Sequence, residues 1–216
     1  MTGRRADEAQ PVPRFARPLR EAEVDADPIR QFGAWFQEAV DAEVREPEAA
    51  ALATADADGA PSVRMVLVKR SDEHGFVFYS NYEGRKAREL AVNPRGALLF
   101  HWDVLGRQVR VEGAVERLGR EESWAYVRTR PRGSQLSALA SPQSRPVSGR
   151  AELERRVAAL AAEHRDRELP MPDNWGGFRL TPRSLEFWQH REDRLHDRLL
   201  YTRLSDSRWQ LERLAP

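Results

Sequence analysis

The sequence predicts a mainly β fold of the α+β class, an antiparallel β-barrel with helices packed around its outside. Three observations carry that reading. From Ala49 onward the apolar residues recur mostly with a period of two, the repeat of a strand. The runs are joined mostly by short turn signals such as Asp58-Gly59 and His74-Gly75, not by a helix after each one. Finally, 216 residues, 40% apolar and 32% charged, suit one compact domain, or one domain with a tail.

Residues 1–26 are rich in Pro, Arg and Glu, have no sustained hydrophobic period, and read as a mobile arm ahead of a domain spanning 27–216. Asp27-Pro28 opens a helix, with Asp27 as N-cap and Pro28 in the first helical position. Ile29, Phe32, Trp35, Phe36, Ala39 and Val40 then follow at spacings of three and four, one apolar stripe. Strands are expected at 49–55, 62–70 and 76–80, a short helix at 85–92 ending at Asn93-Pro94, and strands at 96–103 and 107–118 paired through Val104-Leu105-Gly106. Helices are expected at 120–130 and 150–165, with loops rich in Ser, Pro and Gly between and after them. Strands at 177–180, 185–190, 199–204 and 209–214 close the chain.

Lys plus Arg is 35 and Asp plus Glu is 34, so a net charge of +1 supplies no field to gather nucleic acid or an acidic membrane. Any bound anion must be held by a local constellation. The absence of cysteine excludes disulfides, thiolate catalysis and Cys-based zinc sites. No apolar run approaches the ~18 residues of a membrane span, and no apolar stretch follows the charged N-terminus as in a secretory signal; a cytoplasmic protein is expected. Glycine-rich nucleotide motifs, H-E-x-x-H and G-x-S-x-G are missing. The five histidines never fall at i, i+2 or i, i+4, so no metal site is expected. Of the 35 basic residues only Lys69 and Lys86 are lysine. Codon bias explains the arginine excess, and a lysine retained under such bias points weakly to a site needing a compact, flexible ammonium.

Four segments hold polar groups that a merely structural barrel does not need. In Arg64-Met65-Val66-Leu67-Val68-Lys69 two cations bracket an apolar strand; in a regular strand they face opposite sides, so they serve different groups or a bulge lies between them. Tyr79 to Lys86 runs from a strand into a helix whose first turn carries adjacent cations beside free backbone N–H groups, a pattern suited to phosphate. Tyr126 and Arg130 are i, i+4 on a helix, and Ser134 follows a Pro-Gly turn, so phenol, guanidinium and hydroxyl can converge on one oxyanion. Last, if 194–198 is extended, Arg194, His196 and Arg198 share a face while Leu195 and Leu199 pack inward. For the first, second and fourth segments the plain alternative is solvated charge on a surface or strand end, and the third is a weak signal alone.

These segments, in this order, resemble the pyridoxine (pyridoxamine) 5′-phosphate oxidase family over about Asp27 to Pro216. The most specific stretches are Arg64 to Lys69, Tyr79 to Lys86, Arg130 to Ser134, Trp175-Gly176-Gly177-Phe178 and Arg194 to Arg198. The resemblance implies a split antiparallel β-barrel that binds FMN, a homodimer with shared active sites, and oxidation of a phosphorylated B6 vitamer by O2.

It further implies that Arg64, Ser80, Arg85 and Lys86 hold the FMN phosphate region with Tyr79 beside it. The segment Met65, Val66, Leu67, Val68 and Lys69 adjoins the cofactor. Gln143 and Ser144 reach the flavin from the partner subunit, and Gln108, Trp188 and Arg198 contact the isoalloxazine side. Lys69, Tyr126, Arg130 and Ser134 bind the substrate phosphate, and Arg194 and His196, the catalytic pair, hold the pyridine ring. One element departs from the family: its arm carries Arg-x-x-Tyr, where this chain has Arg14-Phe15-Ala16-Arg17-Pro18 and no tyrosine before Tyr79. That difference leans toward related flavin oxidases of another ring, such as those resembling the phenazine-biosynthesis enzymes, while the intact Lys69, Tyr126, Arg130 and Ser134 set leans away from them. A non-catalytic flavin-binding module on the same barrel is the remaining alternative, and it has no use for Arg194 and His196 on one face.

Overall fold

Helix α1 (Pro28–Asp41) begins where the capping pattern places it, the Asp27 carboxylate accepting from the Ile29 N–H at 2.8 Å. Its stripe buries Phe32, Trp35 and Ala39. The computed structural model describes residues 17–165 and 167–216. Eight strands follow: β1 (Ala49–Ala55), β2 (Pro61–Asp72), β3 (Gly75–Asn81), β4 (Arg95–Trp102), β5 (Arg107–Arg117), β6 (Trp175–Gln189), β7 (Asp197–Arg203) and β8 (Trp209–Arg213). All pair antiparallel in the order β3-β2-β1-β4-β5-β6-β7-β8, and β3 also pairs with β6. Six strands therefore close a barrel, and β7 and β8 extend one wall beyond it.

Alternation along the strands fills the barrel. Leu52, Phe76, Phe78, Leu98, Phe100, Val109, Val111, Leu180, Leu185 and Phe187 are all fully buried. Helix α1 covers one end: the Phe32 ring lies 4.9 Å from both Phe76 and Phe100, and Trp35 meets Phe187 edge-on at 5.2 Å. The other end is closed by α2 (Arg85–Val92), which buries Ala87, Glu89 and Leu90.

Several expectations need correction. The two strands expected at 177–180 and 185–190 are one strand, β6. Pro182 cannot donate to the ladder, and the β5–β6 register shifts between Glu112 and Gly113 to absorb it. Gly113 permits this, since a Cβ there would stand 2.0 Å from the Thr181 carbonyl oxygen. Helix α3 (Arg120–Thr129) stops before Arg130, whose ψ of 149° is extended. The loop expected after it contains a further helix, α4 (Arg132–Ala140), which starts directly after Pro131. Its stability comes from packing: Leu136 and Ala140 are buried, and Arg132 reaches the carbonyls of His164 and Arg167 beyond helix α5 (Arg150–Glu163).

Residues 194–196 are not extended. They belong to the β6–β7 turn, Arg194 has a φ of +60°, and Leu195 is 70% exposed instead of packed inward. Residues 17–26, assigned to the arm by composition, are held against the domain. Leu19 is buried, its N–H donates to Asp197 at 3.1 Å, Arg213 donates to its carbonyl at 2.7 Å, and the Tyr201 hydroxyl donates to the Asp25 carbonyl at 2.7 Å. Arg14, Phe15 and Ala16 lie outside the described residues.

Candidate active site

Three groups of polar side chains stand on this scaffold. The first is at the α2 end of the barrel. Thr54, Ser62 and Arg64 project from β1 and β2 toward the interior side, Ser80 from the end of β3, and α2 lays Arg85, Lys86 and Glu89 across them. The Lys86 ammonium donates to Ser80 Oγ and to Gln143 Oε1, each at 2.9 Å. Arg64 donates to Ser62, Thr54 and the Leu52 carbonyl and pairs with Glu89 at 3.3 Å. Arg85 Nε pairs with the other Glu89 oxygen at 2.7 Å. Burial, helped by the Arg64 charge, lowers the Lys86 pKa. Burial pushes the Glu89 carboxyl up, but hydrogen bonds from Ser62, Thr54 and Arg85 and the Arg64 charge outweigh it and hold the group at about 2. Arg64 and Arg85 thus pair with one carboxylate and Lys86 with neutral oxygens, an excess of positive charge that suits a phosphate. Gly84 leaves room for the Gln143 amide: a Cβ there would stand 2.4 Å from Gln143 Oε1.

The second group lies on the outer side of β3, where Tyr79 points because Ser80 points in. Tyr79 stacks on Tyr126 of α3 with ring centres 3.7 Å apart, and Trp175 continues the stack at 5.8 Å from Tyr79. The Arg130 guanidinium lies 4.8 Å over the Trp175 ring, and its Nη1 is buried with no hydrogen-bond partner. Burial raises the Tyr79 pKa. Ser134 sits in the first turn of α4, with its N–H on the Pro131 carbonyl. Trp175 thus links the tyrosine stack to a buried guanidinium N–H that has no partner.

The third group is a row across the outer face of the sheet. Gln108 on β5 pairs with Trp188 on β6, and Trp188 pairs with Arg198 on β7, so the three side chains leave the same face. Glu186, buried two residues before Trp188, pairs with Arg198 at 2.7 Å and with Arg110. His196 lies 4.6 Å from the Trp188 ring and 5.1 Å from His190. The Arg191 N–H donates to His196 Nδ1 at 3.1 Å, which fixes the ring and leaves Nε2 for another partner. Arg194 is exposed in the adjoining turn.

Comparison with known proteins gives these groups a setting. Residues 36–164 match the family model described as pyridoxamine 5′-phosphate oxidase, and residues 175–216 match the pyridoxine 5′-phosphate oxidase C-terminal dimerisation region. The pyridoxine/pyridoxamine 5′-phosphate oxidase of Rubrobacter xylanophilus is 58% identical over 198 residues, 92% of this chain and 91% of that one. The protein of the same name from Salinibacter ruber is 55% identical over 195 residues, 89% and 91% of the two chains.

The chain belongs to the pyridoxamine 5′-phosphate oxidase family.

Among solved structures, PhzG from Burkholderia lata, in complex with tetrahydrophenazine-1-carboxylic acid, superposes with a TM-score of 0.88 at 32% identity, covering 94% of this chain and all of that one. An FMN-binding protein related to pyridoxamine 5′-phosphate oxidase from Nostoc punctiforme shares the fold, with a TM-score of 0.70 at 18% identity over 88% and 98% of the two chains.

Within this family chain, Arg64, Ser80, Arg85, Lys86 and Gln143 come together, as do Tyr79, Tyr126 and Arg130, and Gln108, Trp188, Arg198 and His196. Gln143, expected to reach a partner's flavin, sits on its own chain's Lys86 and Ser80, while Ser144 is exposed with a φ of +66°. Arg130 does not reach Tyr126's side by helical spacing, since it lies past the helix end. Val66 and Val68 point into the core, and Met65 and Leu67 point out, 63% and 39% exposed. Lys69 is the extra residue where the β2–β3 register shifts, so the alternative of a bulge holds. Its ammonium pairs with Glu48 at 3.0 Å at the α1 end of the barrel. Five residues of strand put it roughly 16 Å along β2 from Arg64, next to Phe78 of β3. Glu89, Trp175 and Glu186 join these groups in the structure, and sequence reasoning gave none of them a role there. Glu89 had a signal, a carboxylate four residues after Arg85 and next to buried Leu90; Trp175 stood in a matched stretch; Glu186 carried none.

Proposed function

We propose that this protein is an FMN-dependent oxidase that converts pyridoxamine 5′-phosphate or pyridoxine 5′-phosphate to pyridoxal 5′-phosphate with dioxygen as electron acceptor. With the amine, substrate, water and dioxygen give the aldehyde, ammonia and hydrogen peroxide. The observation that supports this reading is the separation of two cationic groups, the Arg64–Arg85–Lys86 cluster at the α2 end and the buried, unpartnered Arg130 Nη1 over Trp175. A flavin mononucleotide needs one phosphate site, and Arg64, Ser80, Arg85 and Lys86 suit it. The second, Tyr126, orphaned Arg130 and Ser134, has a purpose only if the substrate is itself phosphorylated. FMN, when bound, supplies the two-electron relay between substrate C4′ and dioxygen.

The chain's residues then have positional tasks. Lys86, Arg64 and Ser80 anchor one phosphate, and Arg130, Tyr126 and Ser134 the other, so the reacting ring is held by its tether in a productive orientation. His196 presents Nε2 to the ring, braced by Trp188 and by the Arg191 N–H. Arg198 is fixed by Glu186 at the cofactor row, beside Gln108.

A homodimer with shared sites accords with the layout. Val63, Met65, Leu67 and Leu99 form an exposed apolar patch on the same sheet face as the Gln108–Trp188–Arg198 row. The competing reading, oxidation of a tricyclic ring, is favoured by the likeness to PhzG and by the absent Arg-x-x-Tyr. An oxidase assay comparing pyridoxamine 5′-phosphate, unphosphorylated pyridoxamine and a dihydrophenazine carboxylate, with peroxide and aldehyde followed together, decides between them. Turnover confined to the phosphorylated amine or alcohol is the expected result.

A further inference from the structure

The mechanism leaves one buried charge without a task. Glu89 is only 5% exposed, yet both of its oxygens are engaged by the cations that the phosphate reading assigns to FMN: Oε1 by Arg85 at 2.7 Å, Oε2 by Arg64 at 3.3 Å. Ser62 donates to Oε2 at 2.6 Å, and Thr54 donates to it as well. Fully bonded in this way, the carboxylate stays ionised at any physiological pH. Without it, Arg64, Arg85 and Lys86 would be three mutually repelling cations at the partly desolvated end of a barrel, an arrangement the fold would have to stabilise with nothing of opposite sign.

We propose that Glu89 is an internal counter-ion that occupies Arg64 and Arg85 in place of a phosphate, stabilising the ligand-free protein at the expense of phosphate affinity. The proposal rests on the reading of this cluster as the flavin phosphate site. A phosphate dianion arriving at the same guanidiniums has to share them with a fixed negative charge. Glu89 thereby sets affinity and ligand-free stability in opposite directions. A residue that merely supports the arginines would move both the same way.

The test uses apoprotein of the parent and of Glu89→Gln, a near-isosteric change that removes the charge. Each is titrated with FMN and with riboflavin, which lacks the phosphate, by quenching of flavin fluorescence at low and at high salt. The ligand-free variant is expected to melt several degrees below the parent. It is expected to bind FMN tighter by about threefold or more at low salt, with the gain shrinking as salt screens the charges. Riboflavin affinity is expected to be unchanged. Should the ligand-free variant not fold, the holoprotein serves: FMN loss after dilution is expected to be slower from Glu89→Gln than from the parent. FMN affinity that is unchanged or weaker in the variant, or faster loss of FMN from its holoprotein, overturns the proposal while leaving the flavin reading intact. A parent apoprotein that binds FMN no better than riboflavin overturns the flavin-phosphate reading itself, and the proposal with it.

Discussion

Lys86 is one of two lysines in a chain with 33 arginines, and its surroundings explain an ammonium there. A compact point charge fits between Ser80 Oγ and Gln143 Oε1, both 2.9 Å away, where a planar guanidinium needs more room. Replacing Lys86 with Met should weaken FMN about ten- to hundredfold, the worth of one charge-assisted hydrogen bond of ~1.5 to 3 kcal/mol. Riboflavin binding should change little. Fluorescence titration of the apoprotein with both flavins checks this. At the second proposed oxyanion site, Arg130→Ala and Ser134→Ala should mainly raise KM, because the substrate phosphate is held alike in ground and transition state. Arg130→Lys should not rescue, since it keeps the charge but loses both the fork and the stack on Trp175. Steady-state kinetics on the three variants separates KM from kcat; normal KM in all of them would remove the reason for a phosphorylated substrate.

Elements differ in how far the sequence reveals them. Helix α1 and strands β1 and β3 are legible because local signals coincide: a capped apolar stripe, a period of two, turn residues at the joints. Helix α2 is legible as a helix, and Arg85 and Lys86 in its first turn mark it as a candidate anion site. Its third functional residue is not, because Glu89 acquires its role from Thr54, Ser62 and Arg64, which come from other strands. Helix α4 is hidden for a similar reason, its burial of Leu136 and Ala140 being created by tertiary packing. The extended reading of 194–196 fails because β7 starts only at Asp197 and the turn places Arg194 at positive φ. Gln108, Trp188 and Arg198, which the resemblance names together, are cross-strand neighbours on three adjacent strands.

The α2 end also has a pH signature. The Glu89 carboxyl sits at about 2 against an ordinary 4.5, so its folded-state pKa is depressed. Its contribution to stability is complete above the ordinary carboxylate range and is lost as pH falls from about 4.5 toward 2. Denaturant unfolding of the ligand-free protein across that interval should show a steep acid limb, shallower in Glu89→Gln. Equal limbs in the two proteins would mean that this carboxylate is not held ionised by its neighbours.

At the scale of the whole molecule, the proposed reading predicts that the outer sheet face couples assembly to cofactor binding. The exposed Met65 and Leu67 share that face with Gln108, Trp188 and Arg198, so a second copy covering the apolar patch also closes over the polar row. Leu67→Glu should therefore yield a monomer by sedimentation and, in the same preparation, lose FMN. The parent should gain ~2.7 kcal/mol of stability with FMN at about 100 times its Kd, and the monomeric variant much less. A monomer that retains FMN at parental affinity would separate the two.

The most direct measurement is anaerobic mixing of FMN-loaded protein with pyridoxamine 5′-phosphate, followed by admission of air. Loss of flavin absorbance to the extent of one equivalent per subunit, pyridoxal 5′-phosphate formed in the same amount, and recovery of the absorbance with release of peroxide are expected. A flavin that keeps its absorbance with this substrate and with pyridoxine 5′-phosphate, yet loses it with a dihydrophenazine carboxylate, would contradict the assignment.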